Sequence, residues 1–321
     1  MFLDITFFII GLALILYGAN ILVDGSSAAA KRMGVSELVV GLTVVAFGTS
    51  APELVVSLIS AINGSAELAV GNVVGSNILN ILAIIGITAL VRPIKVERSI
   101  LTNEIPLVIL SSLAIAFVGL DTVIDGARES SVSRIDGLML LLFFCIFMRY
   151  TFSVDGPMPD DQSQESADDI MPAWKAALFI VGGLVGLILG GEMFVEGASG
   201  IAAKLGVSEA VIGLTIVAAG TSMPELATSV VAALKGRQGI VIGNVVGSCL
   251  FNVFFVLGLS ATVSPLRMGG VGIVDISLLL VASLVFWLFG QFYKDRTFTR
   301  IEGGIMTLMY VGYVVWLVIN A

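Results

Sequence analysis

The chain has 321 residues, 57% of them apolar and only 12% charged, with a formal net charge of −8. Soluble proteins carry roughly 25% charged residues, so a water-soluble globule is excluded: its surface would be coated in hydrocarbon. There is no histidine, which removes zinc hydrolysis through H-E-x-x-H, Ser-His-Asp chemistry and histidine proton relays. An enzyme is therefore not expected, and no resident cofactor is implied. Cys145 and Cys249 both lie inside apolar runs, so there is no disulfide framework. Six of the acids sit in one loop, so the net charge does not point to a nucleic-acid partner. No obligate protein partner is implied either.

A transmembrane helix needs about 20 mostly apolar residues. Ten runs qualify, near 5–23, 37–62, 68–91, 103–120, 135–153, 173–197, 209–234, 239–262, 272–292 and 301–319. The expected fold is an all-α polytopic membrane protein whose surroundings are the lipid bilayer. The first run is not a secretory signal, because its only early charge is Asp4, where a signal peptide carries lysine or arginine. Twelve Lys and Arg residues fall in the odd-numbered connections and four, Arg128, Arg134, Lys204 and Arg267, in the even-numbered ones. This asymmetry predicts that the odd connections are cytoplasmic and that both termini face outside. Residues 154–172 hold three prolines and six acids and read as a flexible cytoplasmic linker between segments 1–153 and 173–321.

The chain repeats itself. Residues 18–86 align with 190–258 at a constant offset of 172, with 32 of 69 positions identical. The shared blocks are GVSE (34–37, 206–209), GLT (41–43, 213–215), GTS-x-PEL (48–54, 220–226) and GNVVGS (71–76, 243–248). Each half holds five spans. Five is odd, so the second half enters the membrane from the opposite side, which gives two inverted five-helix repeats. Such repeats are the architecture of secondary transporters, with ion sites near the midplane between the halves.

Polar residues inside the spans locate that site. Glu53 and Glu225 lie at matching places in apolar spans 2 and 7. An ionised residue at a helix centre costs roughly 2.5–3.5 kcal/mol on insertion scales, so two uncompensated carboxylates are a heavy burden for structure alone. Pro52 and Pro224 precede them. A mid-helix proline lacks an N–H and clashes with the carbonyl four residues back, here Gly48 and Gly220. The expected break frees carbonyls around Ala46–Thr49 and Ala218–Thr221, and such backbone survives at membrane depth only where it is buried or lines a polar cavity. Glu53, Ser57 and Ser60 share one helix face, as do Glu225, Thr228 and Ser229. Asn72, Ser76 and Asn80 share another, repeated by Asn244, Ser248 and Asn252. The donors are oxygens, which suit hard cations; Ca²⁺ takes roughly 6–8 of them in a flexible shell. The same oxygens can redistribute over several Na⁺ ions. Asp24 and Glu196, paired by the same offset, are candidates for contacting entering cations.

At GTSAPE and GTSMPE, with GNVVGSNILN and GNVVGSCLFN, the chain resembles the sodium/calcium exchangers of the Ca²⁺/cation antiporter superfamily, in its prokaryotic form without a regulatory domain. The resemblance covers essentially the whole chain. It implies exchange of Na⁺ for Ca²⁺ by alternating access across the prokaryotic cell (inner) membrane, with spans 1 and 6 sliding over a core of spans 2, 3, 7 and 8. It implies Glu53 and Glu225, with the carbonyls of Thr49 and Thr221, as the main Ca²⁺ ligands. Na⁺ contacts would come from Ala46, Ser50, Ser76, Ala218, Ser222 and Ser248, with Asn80 and Asn252 at the middle of the site. Many relatives carry aspartate at the position of Asn252, and the potassium-dependent branch relies on it. Asparagine in both halves argues against K⁺ cotransport and lowers the negative charge of the middle site. A Ca²⁺/H⁺ antiporter of the same superfamily is the alternative; GTS-x-PE favours sodium.

Overall fold

In lipid the backbone of a long apolar run finds polar partners only within itself, so it winds into helices. The computed structural model describes residues 1–124, 126–154, 171–207, 212, 216–292 and 294–320. Eight helices are long and apolar enough to cross a membrane: α1 (Phe2–Met33), α4 (Ala66–Val91), α5 (Arg98–Gly119), α6 (Arg134–Ser153), α7 (Ala173–Lys204), α9 (Gln238–Val263), α10 (Ile273–Phe292) and α11 (Arg300–Asn320). A bent pair, α2 (Glu37–Thr49) and α3 (Ala51–Ile62), forms a ninth span. The shorter α8 (Met223–Leu234), with the helical turn Ala218–Gly220 before it, is the described part of the tenth. The predicted 155–170 portion of the linker lies outside the described residues, as do 208–209 of the second GVSE block and 213–215 of the second GLT block.

α1 and α7 are each 32 residues long, about 48 Å at 1.5 Å per residue, against a hydrocarbon core of about 30 Å. They outrun the predicted 5–23 and 173–197 because Asp24, Lys31, Arg32 and Lys204 interrupt the hydropathy but not the helix. The pair runs antiparallel. Gly11, Gly18 and Gly25 face Gly190, Gly183 and Ala176 in reverse order. A Cβ on Gly11 would stand 2.4 Å from the Phe194 backbone nitrogen, and one on Gly18 would stand 2.8 Å from the Gly183 carbonyl. Only glycine permits this backbone-to-backbone approach.

α4 and α9 form the centre: their apolar windows are 83% and 94% buried, against 17% for α11. The outer helices therefore face lipid while these two are walled in by protein. Both change pitch at equivalent places, with π-helical turns at Leu79–Ile84 and Phe251–Leu257. A third π-helical turn, Gly41–Val45, lies within α2. Gly243 and Gly247 let α9 close on α2, where a Cβ would stand 2.7 Å from the Leu38 and Leu42 carbonyls.

Two short antiparallel ribbons tie connections together. β1 (Ile94–Lys95) pairs with β4 (Thr297–Phe298), and β2 (Ser131–Val132) with β3 (Leu266–Arg267). β1 and β3 are separated by the repeat offset, and their ribbons join odd connections in one case and even connections in the other. The inversion read from the sequence thus extends to the loops.

Candidate ion-binding site

Span 2 breaks where the proline requires it. α2 ends at Thr49, Ser50 leaves helical geometry (φ −86, ψ 9), and α3 restarts at Ala51 with a 47° bend. Ser222 repeats this before α8 (φ −94, ψ 9). Pro52 and Pro224 fall in the first turn of the new helix, where a missing N–H costs nothing. One expected opening is filled locally: the Ala46 carbonyl accepts the Ser50 N–H at 3.0 Å.

The two breaks meet across the repeats. The Ser50 hydroxyl donates to Glu225 Oε1 at 2.9 Å, and the Ser222 hydroxyl donates to Glu53 Oε1 at 2.9 Å. Each carboxylate is thus held by the serine three residues before the other. Both glutamates are completely buried. Asparagines brace the backbone behind them. Asn72 Nδ2 donates to the Glu53 carbonyl and the Ser57 hydroxyl, and Asn244 Nδ2 does the same to the Glu225 carbonyl and the Ser229 hydroxyl. The Thr49 hydroxyl reaches Asn244 Oδ1 at 3.0 Å, linking the halves again.

The remaining predicted residues lie on the same elements. Ser76, Asn80, Ser248 and Asn252 are buried on α4 and α9, Ala46 is buried on α2, and Ala218 begins the turn before the second break. Glu53 Oε2, Glu225 Oε2, Thr221 Oγ1, Ser248 Oγ, Asn252 Oδ1 and both amide atoms of Asn80 are buried with no protein partner. Each such atom costs about 1–3 kcal/mol, and the oxygens among them are the atoms that an oxygen-seeking cation would engage. Among the described residues no cluster of three or more His, Cys, Asp or Glu side chains is found, so the site is two carboxylates set among neutral oxygens. Ser60 is not fully buried and stands outside this network. Asp24 meets a cationic partner of the chain itself, accepting from Lys235 Nζ at 2.6 Å.

One polar residue of the site was not singled out by motif reasoning. Asn77 is buried on α4; its Nδ2 donates to the Cys249 carbonyl at 3.2 Å, and its Oδ1 accepts from Asn252 Nδ2 at 3.3 Å. The available signal was an asymmetry: Asn77 faces Cys249 under the 172 offset, directly after two identical GNVVGS blocks.

Inverted helical repeats, broken spans and a buried pair of equivalent acids define an inverted-repeat membrane transporter. Comparison with known proteins narrows this class. The family model described as sodium/calcium exchanger protein matches residues 3–153 and 175–319. A putative antiporter CaxA of Alkalimonas amylolytica is 36% identical, with 96% of each chain covered. The inner membrane protein YrbG of Escherichia coli is 33% identical over 99% of this chain and 96% of its own. A solved structure of the sodium-calcium exchanger NCX_Mj superposes with a TM-score of 0.84 at 32% identity, covering 98% of each chain. The chain belongs to the sodium/calcium exchanger family, whose members are membrane antiporters.

Proposed function

We propose that this chain exchanges Na⁺ for Ca²⁺ by alternating access, Na⁺ inflow driving Ca²⁺ out of the cytoplasm. One observation carries the reading: two fully buried glutamates from opposite repeats, each with one oxygen held by the other repeat's serine and one without a protein partner. Two carboxylates balance one Ca²⁺, and the surrounding neutral oxygens complete the coordination that a hard cation requires. Glu53 and Glu225, with the Thr49 and Thr221 carbonyls, are the Ca²⁺ ligands. Ala46, Ser50, Ser76, Ala218, Ser222 and Ser248 supply Na⁺ contacts, and Asn80 and Asn252 stand between. Ca²⁺ and Na⁺ compete for shared oxygens, which couples their fluxes. Structures of NCX_Mj were obtained from soaks in Na⁺ with Ca²⁺ or Sr²⁺, which supports the same ions here. α1 and α7, joined to each other along their glycine seam, slide together over the core to change the exposed side.

The excess of Lys and Arg in odd connections supports a cytoplasmic 154–172 segment and external termini. The likeness to an inner membrane protein supports a prokaryotic inner-membrane location. The deciding experiment is ⁴⁵Ca²⁺ uptake into proteoliposomes under Na⁺, K⁺ or H⁺ gradients applied separately. Uptake driven by Na⁺ alone is the expected result. Uptake driven by a pH gradient without Na⁺ would transfer the assignment to Ca²⁺/H⁺ antiport, and a strict K⁺ requirement to the potassium-dependent branch.

A further inference from the structure

A residue and its repeat mate touch each other only near the pseudo-twofold axis relating the halves. Asn77 and Cys249 are such mates, and the Asn77 amide bonds the Cys249 carbonyl at 3.2 Å. Asn77 therefore sits buried at that axis, just before the π-helical turn that carries Asn80 and in hydrogen-bond contact with Asn252 in the π-helical turn of the other repeat.

The hydrogen bonds at this point have a forced direction. A backbone carbonyl only accepts, so Asn77 must turn its Nδ2 toward Cys249. Its Oδ1 then faces Asn252 and accepts from Asn252 Nδ2 at 3.3 Å. That fixes the Asn252 amide in turn: its NH₂ group points at Asn77, and its Oδ1 is buried without a protein partner. An amide has two nearly isosteric ends, of which only the oxygen attracts a cation. Repeat symmetry supplies no equivalent for Asn80, because Cys249 stands where a second relay amide would be. Both amide atoms of Asn80 are buried and unpartnered.

We propose that Asn77 is a positioning residue: through a directed amide relay from the Cys249 carbonyl it presents the Asn252 oxygen, and not its NH₂, to the transported cations, leaving Asn80 as the adaptable half of the middle site. This rests on the reading of Asn252 as a cation contact.

The test uses purified full-length protein and reads binding separately from flux. Half-saturation for CaCl₂ and for NaCl is measured by ion-induced thermal stabilisation in detergent, and ⁴⁵Ca²⁺ exchange is measured in proteoliposomes. Asn77→Leu removes the relay. Losing one oriented oxygen is worth about 1 kcal/mol, so the half-saturation for at least one of the two ions should rise roughly three- to tenfold. Asn252→Leu should abolish that effect, with the Asn77→Leu/Asn252→Leu double variant no weaker than Asn252→Leu alone. Asn80→Leu, which removes no partner of Asn77, should combine with Asn77→Leu additively. If Asn77→Leu fails to fold, Asn77→Ala carries the same cycle. Unchanged half-saturations, or equal shifts in the presence and absence of Asn252, would overturn the proposal. Intact ion binding without Na⁺-driven flux would count against the exchange reading and leave the relay standing.

Discussion

At the scale of single residues, the site is defined by what each carboxylate oxygen touches. Oε1 of Glu53 and Oε1 of Glu225 each accept a serine hydroxyl from the opposite repeat, while both Oε2 atoms have no protein partner. Glutamine preserves the shape and can still accept from the serine, but it carries no charge to balance a cation. Glu53→Gln and Glu225→Gln should each insert and fold, with ion-free thermal stability kept or raised. Their Na⁺-dependent ⁴⁵Ca²⁺ uptake should fall about a hundredfold or more, consistent with the roughly 3 kcal/mol or more lost when one partner of a buried charge pair is removed. Uptake within tenfold of the parent in either variant would contradict the assignment. The glutamates were legible in the sequence because an acid inside an apolar run has a cost that demands a reason. Asn77 was not. An amide at that position reads like its neighbours Asn72 and Asn80, and its importance depends on lying at the axis between the repeats, which emerges only when the halves are packed together.

At the scale of elements, the broken spans and the small-residue spacing of Gly243 and Gly247 were legible, and the packing of α1 against α7 was not. Proline rules placed the breaks at the observed turns, because they rest on a missing N–H and a local clash. The π-helical turns of α4 and α9 have no such local mark. The glycines of α1 and α7 were passed over because a seven-residue spacing acquires meaning only when a second helix presents matching glycines in reverse order. The break itself can be tested. In Pro52→Ala the restored N–H can bond the Gly48 carbonyl and continue the helix through Ser50. Pro52 already stands in the first turn of α3, where proline costs little, so thermal stability in detergent should stay close to the parent's. Exchange should nevertheless fall at least tenfold, because a straightened span no longer aims Ser50 at Glu225. Pro224→Ala should behave alike, acting through Ser222 and Glu53. A variant that folds with the parent's stability and keeps full exchange would show that the bend is dispensable.

At the scale of the whole molecule, inverted repeats impose a rule on conformational balance. If the halves exchange conformations as access alternates, a contact made at one membrane face in one state is made by the repeat mates at the other face in the other state. On the side of the 7–8 connection α1 is tied to the core by one ion pair, Lys235 Nζ to Asp24 at 2.6 Å, and by the Ser27 hydroxyl, which donates to Glu37 of α2. The repeat mates of Lys235 and Asp24 are Asn63 and Glu196, so this tie cannot be reproduced as an ion pair at the opposite face. The Asp4–Lys204 pair joins α1 to α7 and moves with both, so it favours neither side. A partly exposed ion pair is worth up to about 1 kcal/mol, enough for a few-fold bias toward keeping the Lys235 side closed. Because apparent affinity falls with the fraction of molecules open to a given side, Lys235→Asn should lower the Ca²⁺ half-saturation a few-fold at the Lys235 face and raise it at the other. Raised ionic strength should have the same effect on the parent protein, through screening. Asn63→Lys, which gives Glu196 a cation, should shift both values the opposite way. Sided ⁴⁵Ca²⁺ uptake in right-side-out and inside-out vesicles measures this. Shifts of the same sign at both faces would mean that Lys235 acts on the ion site and not on the balance of states.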